Sequence, residues 1–342
     1  MKGIQALVVG GAGFVGSNLV RRLLGEGARV VVVDNLLSSE RDNLPAHEAL
    51  TLVEGSIADD RILESLTDRF DAVFHLATYH GNQSSIADPL ADHDNNLLTT
   101  LKLYERIKGF RRLNKVVYAA SGCTLAPHTT DAPQATTEDG PVPFDLDSPY
   151  QISKVVGEFY SVYYHKQHGL PTVRARFQNV YGPGEVLGAG RWRGTPATVW
   201  RNVTPTFIYR ALRRLPLILE NGGGAGRDFI FVQDIVEGLI RCAIRGRAGD
   251  VYNLASGRET SIRQLALEIN RLTDNPAPIE PRPGRDWDRS GRRFGSGAKA
   301  LRDLGFSART ELDEGLRITI QWTRDNLERI EACIERHRQR LG

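Results

Sequence analysis

The 342-residue sequence is poor in sulfur, with three cysteines, Cys123, Cys242 and Cys333, and a single methionine. Three is odd and no pair has Cys-x-x-Cys spacing, so neither a disulfide framework nor a zinc site follows, and no metal is expected. Long apolar runs are also missing. No window reaches the roughly 18 apolar residues that a membrane span needs, and the first residues enter an apolar run without a basic lead or signal-like segment. The expectation is a cytoplasmic protein with no membrane partner. Charge of one sign is scarce too: 44 Lys plus Arg stand against 41 Asp plus Glu, a formal net charge of +3. The Arg excess gathers in the C-terminal half, but no basic run is interleaved with aromatics, which argues against nucleic acid as a partner. Internal repeats are absent. The length suffices for one large or two modest domains with a full core.

What is present is organised around one stretch, Ala6-Leu-Val-Val-Gly-Gly-Ala-Gly-Phe-Val-Gly-Ser17. The run Ala6 to Val9 predicts a strand buried on both faces, and the run Ser17 to Leu24 an amphipathic helix. Between them Gly10 permits a tight turn and Gly13 lets the backbone approach a pyrophosphate. Gly16 lets the helix pack close to the strand, so that the first helical N–H groups face an anion. Glycines at that spacing also suit an ordinary turn. The second apolar strand, Arg29 to Val33, supplies context because it ends in Asp34, whose carboxylate accepts from both ribose hydroxyls and repels a 2′-phosphate. The cofactor so indicated is NAD rather than NADP.

Further strands are predicted at Leu50 to Val53, Asp71 to Ala77, Lys115 to Ala119 and Thr172 to Phe177, alternating with helical patterns at 59–69, 92–108 and 150–167. That alternation predicts an α/β fold with a doubly wound parallel sheet. Pro127, Pro133, Pro141, Pro143 and Pro149 predict an extended surface loop over 126–149. Beyond Asn179 the rhythm fades. Residues 182–202, rich in Gly, Arg and Trp, read as a flexible substrate-side loop. Helices are expected at 205–214, 233–245, 260–273 and 312–338, short strands at 217–219 and 229–232, and a Pro- and Arg-rich loop over 276–293. The expected division is a dinucleotide domain over 1–178, with a returning segment around 229–258, and a smaller, discontinuous, mixed α/β domain over 179–342.

Tyr150 and Lys154 stand at i and i+4, on one face of the 150–167 helix. An ammonium there stabilises a phenolate and suits Tyr150 to general-base work. Such pairs are common on helices without chemistry. What distinguishes this one is the strand that delivers Ser121 to the sheet edge where a nicotinamide would lie.

These residues resemble the extended short-chain dehydrogenase/reductase family, in its NAD-dependent nucleotide-sugar epimerase and dehydratase branch. The resemblance rests on Gly10-Gly-Ala-Gly-Phe-Val-Gly16, Asp34-Asn35, His75-Leu-Ala77, Asp94-Asn-Asn96, Ser121 and Tyr150-Gln-Ile-Ser-Lys154. It continues through Arg176-Phe-Gln-Asn-Val-Tyr-Gly-Pro183, Arg227-Asp-Phe229 with Asp234, Tyr252-Asn-Leu-Ala-Ser-Gly257 and Arg282-Pro-Gly284. It implies a Rossmann-type sheet with a smaller substrate-binding domain. By the resemblance, NAD is held by Gly10, Gly13, Phe14, Val15, Gly16, Asp34, Asn35, Ser56, Ile57, Leu76, Ala77, Asn96, Phe177 and Val180 together with Tyr150 and Lys154. A nucleotide sugar is held by Asn179, Asn202, Val203, Leu219, Arg227 and Arg282. A homodimer through the 92–108 and 150–167 helices is also implied, although an internal core contact explains the apolar face of the first equally well.

The resemblance further implies that Tyr150 takes the proton of the sugar 4-hydroxyl while the 4-hydrogen passes to NAD⁺, that Ser121 bonds the same oxygen and that Lys154 also holds the nicotinamide ribose. Dehydratases of the family place an Asp-Glu pair after the serine and decarboxylases a Glu; here Gly122 and Cys123 stand there. The function expected is therefore 4-epimerisation of a nucleotide sugar, uridine first. Cys123 keeps an alternative open: its thiolate could take a proton from C3 or C5 of the keto sugar, as in the similar GDP-mannose 3,5-epimerases. Their partner lysine has no counterpart in Arg201-Asn-Val-Thr204, and a small thiol packed under the site explains Cys123 as well. A non-catalytic NAD-binding protein on the same fold is the third reading, and the retained Tyr150 and Lys154 argue against it. Ser56 replaces an Asp that bonds adenine in many relatives, and Glu220 replaces an aromatic that stacks on uracil. Trp192, Trp200 and Trp287 are candidates to line the sugar pocket or to brace the fold.

Overall fold

Runs of valine, leucine and alanine with no polar face form strands buried on both sides, and in this chain they build one parallel sheet. The computed structural model describes residues 1–122, 134–285 and 291–341. The first strands are β1 (Gln5–Val9), β2 (Arg29–Asp34), β3 (Leu50–Glu54), β4 (Ala72–His75), β5 (Lys115–Ser121) and β6 (Thr172–Phe177). The next are β7 (Asn179–Tyr181), β8 (Leu217–Glu220), β9 (Gly226–Arg227), β10 (Phe229–Phe231), β11 (Val251–Leu254), β12 (Thr260–Ser261) and β13 (Ile279–Arg282). Seven of them make the sheet, in the order β11-β6-β5-β4-β1-β2-β3, every pair parallel. The remaining six form three two-stranded ribbons, β10 with β7, β12 with β9 and β13 with β8.

Helices cover both faces of the sheet. They are α1 (Phe14–Gly25), α2 (Asp60–Ser65), α3 (Asn82–Ala87), α4 (Pro89–Asp92), α5 (Thr99–Ile107), α6 (Pro149–His168), α7 (Val203–Leu212), α8 (Val232–Arg245), α9 (Ile262–Thr273), α10 (Ala298–Leu304), α11 (Leu312–Asp325) and α12 (Leu327–Glu335). Leu19 and Leu23 of α1, Ile235 and Leu239 of α8 and Leu304 of α10 pack with Val8, Val32 and Phe74 on one face. Leu63 of α2, Leu103 and Ile107 of α5 and Tyr164 of α6 pack with Leu7, Val33 and Val73 on the other. This is a Rossmann-like, doubly wound sheet. A separate core gathers Phe207 and Ile208 of α7, Leu265 and Ile269 of α9, Leu316 and Ile320 of α11 with Leu217, Leu219 and Phe231.

Several elements depart from the sequence reading. The helix expected over 59–69 ends at Ser65, because Leu66 leaves helical geometry (φ −76°, ψ 111°) and enters the core. The helix expected over 312–338 breaks at Asn326, whose Nδ2 bonds the Trp322 carbonyl at 2.8 Å. The loop expected over 276–293 contains β13, which pairs with β8. Within the expected surface loop, Gln134 and Thr137 are exposed, but Thr136 bonds the Phe294 carbonyl through its N–H at 2.9 Å and Glu138 is buried, accepting from Asn253 N–H at 2.8 Å.

The largest correction concerns residues 182–202. They contain one short 3₁₀ turn (Pro196–Thr198), yet they are packed rather than loose, because Val186, Leu187 and Ala189 are buried against Ile330 and Cys333. Arginines tie the segment to the 35–40 loop: Arg191 bonds the Asn35 carbonyl at 2.7 Å and Arg201 the Ser38 carbonyl at 2.6 Å. Among the described residues no helix is long and apolar enough to cross a membrane.

Candidate active site

The turn between β1 and α1 is fixed by backbone contact. Gly10 has φ +82°, and a Cβ there would meet Ala77 N at 2.5 Å; a Cβ on Gly16 would meet the Gly10 carbonyl oxygen at 2.2 Å. Only glycine allows α1 to sit this close to the strand. The N-cap of α1, Gly13, provides no side-chain cap, and the first turn carries no acid. A 12-residue helix thus presents open N–H groups and the positive end of its dipole to the space above the turn. At the end of β2, buried Asp34 accepts from Ala12 N–H at 2.9 Å on Oδ2, and from Leu36 N–H at 2.9 Å and Ser39 Oγ at 3.1 Å on Oδ1. Burial raises its pKa, and these hydrogen bonds oppose that shift. Oδ2 keeps acceptor capacity for a hydroxyl.

One cavity of about 740 Å³ runs from this turn to the β13–β8 ribbon. It is lined by Gly10, Gly13, Phe14, Val15, Gly16, Asp34, Asn35, Ser56, Ile57, Leu76 and Ala77 along the first wall, and by Ser121, Tyr150, Lys154, Phe177, Asn179 and Val180 at the centre. Asn202, Val203, Arg227 and Arg282 follow on the far side. A glycine cradle, an open helix N-terminus and a ribose-sized acceptor along one groove fit a dinucleotide. Ser56 turns its hydroxyl back to Ala58 N–H at 3.1 Å, and Ile57 is buried beneath.

α6 starts where Ser148 Oγ caps Gln151 N–H at 3.3 Å and Pro149 takes the first turn, which sets Tyr150 at the head of the helix. Its N–H donates to Ser85 Oγ at 3.2 Å. Lys154, one turn on and 4% exposed, donates to the Ala119 carbonyl of β5 at 3.0 Å. Its Nζ lies 5.8 Å from the Tyr150 ring centroid and 5.5 Å from that of Tyr118. The same carbonyl contact locks α6 against β5 two residues before Ser121. Behind it, buried Arg176 of β6 forms a bidentate pair with Glu158 of α6, both bonds at 2.8 Å, which holds the helix to the sheet.

Two expected contacts lie behind the wall instead of on it. Asn96 is buried, with Oδ1 accepting from Tyr79 N–H at 2.7 Å and Nδ2 donating to Asp92 at 2.7 Å and to Ser153 Oγ at 3.2 Å. It sits in a π-helical turn, His93–Leu98, whose wider winding gives the cavity to Asn95 and Thr99. Leu219 points into the core, since strand alternation hands the cavity to Ile218 and Glu220. Glu220 is ion-paired with Arg285. Trp200 lines the cavity, whereas Trp192 packs on His337, ring centroids 5.9 Å apart. Cys123 and Trp287 lie outside the described residues.

The sequence reading missed the charged groups of the far wall. His80 stands with its ring 5.8 Å from that of Tyr150, and burial, helped by Arg193, Arg201 and Lys154, pushes its pKa down to about 3. Buried Glu185 is hydrogen-bonded by Asn202, and its Oε2 has no partner. Burial pushes its carboxyl up to about 7. Arg193 and Arg201 complete the wall. A buried carboxyl and arginines inside an irregular segment leave no periodic signal; the Arg density of 191–201 was the available hint.

A glycine-cradled groove that opens beside a Tyr/Lys pair fits an NAD-dependent enzyme. Residues 6–255 match the family described as NAD dependent epimerase/dehydratase, and the chain belongs to that family, whose cofactor is NAD. The sequence is 62% identical to the Bordetella bronchiseptica enzyme WbmF, solved in complex with NAD⁺ and UDP, with a TM-score of 0.89 over 99% of this chain and 98% of that one. It is 39% identical, again with a TM-score of 0.89, to the epimerase Mth375 of Methanothermobacter thermautotrophicus, over 97% of this chain and 95% of the other. Among curated proteins it is 32% identical to a UDP-glucose 4-epimerase of Mycolicibacterium smegmatis over 94% of this chain and 99% of that protein.

Proposed function

We propose that the protein is a cytoplasmic, homodimeric 4-epimerase of nucleotide sugars, with UDP-sugars as the first substrates to try. The observation that carries the reading is the Tyr150–Lys154 pair, held against the end of β5 at the centre of a single cavity that continues to Arg227 and Arg282. Tyr150 takes the proton of the sugar 4-hydroxyl on its phenolic oxygen and later returns it. The Lys154 ammonium stabilises the phenolate, and Ser121 orients the sugar oxygen. Gly10, Gly13 and Asp34 would hold NAD, which would supply hydride acceptance and donation at C4, and inversion requires the keto sugar to turn over in the cavity between the two transfers. Arg227 and Arg282 supply charge-assisted bonds to the diphosphate. Gly122, next to Ser121, carries no acid, so nothing described there favours dehydration or decarboxylation.

The test is a panel of UDP-, GDP-, CDP- and dTDP-sugars in heavy water, read by NMR. Inversion at C4 without solvent label supports the reading. Deuterium at C3 or C5 overturns it in favour of proton abstraction by Cys123. The dimer reading draws on the large apolar side chains that α3, α4 and α6 leave exposed, among them Ile86, Leu90, Ile152, Phe159 and Tyr163, because a patch of that kind marks an interface. The compartment reading draws on free, buried Cys242 and Cys333.

A further inference from the structure

Arg193 stands on the far wall of the cavity with 4% of its surface exposed. Its N–H is fixed by Thr198 Oγ1 at 2.9 Å, its Nη1 donates to the His80 carbonyl at 2.8 Å, and its guanidinium lies 5.5 Å from the Tyr79 ring centroid. Nε is buried without a partner. Among the described residues no carboxylate pairs with it, and removing an unpaired guanidinium from water is costly. The surroundings make that worse. Arg201 spends its donors on the carbonyls of Thr198, Ser38 and Ala189 and likewise has no ion pair among the described residues; the two arginines repel one another. Two acids act on Arg201: Glu185, which is bound by Asn202 and whose carboxyl burial pushes up to about 7, and Glu40, which is already paired with Arg336. Among the described residues, Arg193 and Arg201 therefore have no carboxylate ion-paired with them.

Its position is specific. The His80 residue whose carbonyl takes Arg193 places its ring 5.8 Å from Tyr150, so the guanidinium is one residue removed from the phenol. Arg227 and Arg282, the diphosphate partners of the reading above, belong instead to the β9 and β13 ribbons.

We propose that Arg193 is the counter-ion of a carboxylate borne by the sugar, which makes the substrate class a nucleotide-linked uronate rather than a neutral hexose. The inference rests on the nucleotide-sugar reading and narrows it. A carboxylate offers two oxygens to a planar fork of which Nη1 alone is committed to protein, whereas a hydroxymethyl group offers one neutral oxygen and leaves the charge unanswered.

Equilibrium binding of UDP, UDP-glucose and UDP-glucuronate to the NAD-loaded protein tests it. The protein should bind UDP-glucuronate roughly 10- to 100-fold more tightly than UDP-glucose, the range of a charge-assisted hydrogen bond. Arg193→Gln should bind the two sugars alike while keeping its affinity for UDP, and Arg193→Lys, which keeps the charge but not the fork, should retain part of the preference. Equal affinities of the unsubstituted protein for both sugars overturn the inference and leave the nucleotide-sugar reading intact. Loss of UDP affinity in Arg193→Gln as large as the loss of UDP-glucuronate affinity also overturns it, by assigning the arginine to the diphosphate. Failure of the unsubstituted protein to bind UDP or either sugar overturns the nucleotide-sugar reading and this one with it. Should Arg193→Gln fail to fold, the comparison of sugars on the unsubstituted protein decides alone.

Discussion

The two walls of the cavity are held in place by different means. The wall made by β1, the glycine turn and α1 is set by backbone touching backbone, as Gly10 on Ala77 and Gly16 on Gly10. The wall made by residues 182–202 has almost no regular structure and is held by arginines that donate to carbonyls: Arg193 to His80, Arg191 to Asn35, Arg201 to Ser38 and Ala189. The difference teaches where specificity can vary. A wall that depends on the absence of side chains tolerates little change, and it faces the part of the groove suited to the dinucleotide. A wall built from long charged side chains can be rewritten residue by residue, and it faces the part left for a substrate.

Substitutions on either wall, and at the pair between them, sharpen the contrast. Tyr150→Phe should have the largest effect, lowering turnover by about 100- to 10,000-fold while NAD binding, followed by fluorescence, persists; unchanged turnover would remove the phenol from the chemistry. Arg201→Met leaves the carbonyls of Ser38, Thr198 and Ala189 without their donor and should cost roughly 3 kcal/mol in chemical denaturation, since each unsatisfied carbonyl costs about 1–3 kcal/mol and water recovers part. A loss below about 1 kcal/mol would mean that the far wall does not depend on its arginines.

Glu185 gives that wall a pH dependence. Its carboxyl moves from 4.5 to about 7 on folding, so the folded protein holds a proton that the unfolded chain has released between those values. The contribution is complete below about pH 4.5 and is lost as pH rises through about 7, amounting to at most about 3 kcal/mol. Melting temperatures of Glu185→Gln and the unsubstituted protein should therefore diverge from acid to mildly alkaline pH in favour of the variant, and parallel curves would refute the assignment. On the opposite wall, Gly16→Ala should cost roughly 1–3 kcal/mol by overpacking and weaken NAD binding by pushing α1 off the turn; thermal shifts with and without NAD separate the two losses. The smallest effect belongs to neither wall. Arg258 and Glu311 are paired on the surface, 64% and 59% exposed, and Arg258→Ala should change stability by less than about 1 kcal/mol.

Legibility in the sequence follows the same division. The glycine turn, Asp34, Ser121 and the Tyr150–Lys154 pair were readable because strand, turn and helix rules place them by local spacing alone. Asn96 was placed one position off the wall because a π-helical turn is invisible to a 3.6-residue period. Leu219 was displaced for a simpler reason, since a strand end turns alternate residues to opposite sides. Residues 182–202 were read as loose because they lack periodicity. Their order comes from apolar contacts with α12, more than a hundred positions later, and from charged bonds to distant carbonyls. His80, Glu185 and Arg193 acquire meaning only through those long-range contacts.

The late arrival of β11 sets the order in which this molecule can be completed. The sheet begins with residue 5 but cannot close its β6 side until Val251–Leu254 has emerged, after α7, α8 and the strands β7 to β10 have been made. Until then the nascent chain exposes an open strand edge, a template for pairing with another molecule. A fragment stopped at residue 178 would keep that edge permanently, so cutting there should yield a sticky, aggregation-prone piece instead of an autonomous dinucleotide module.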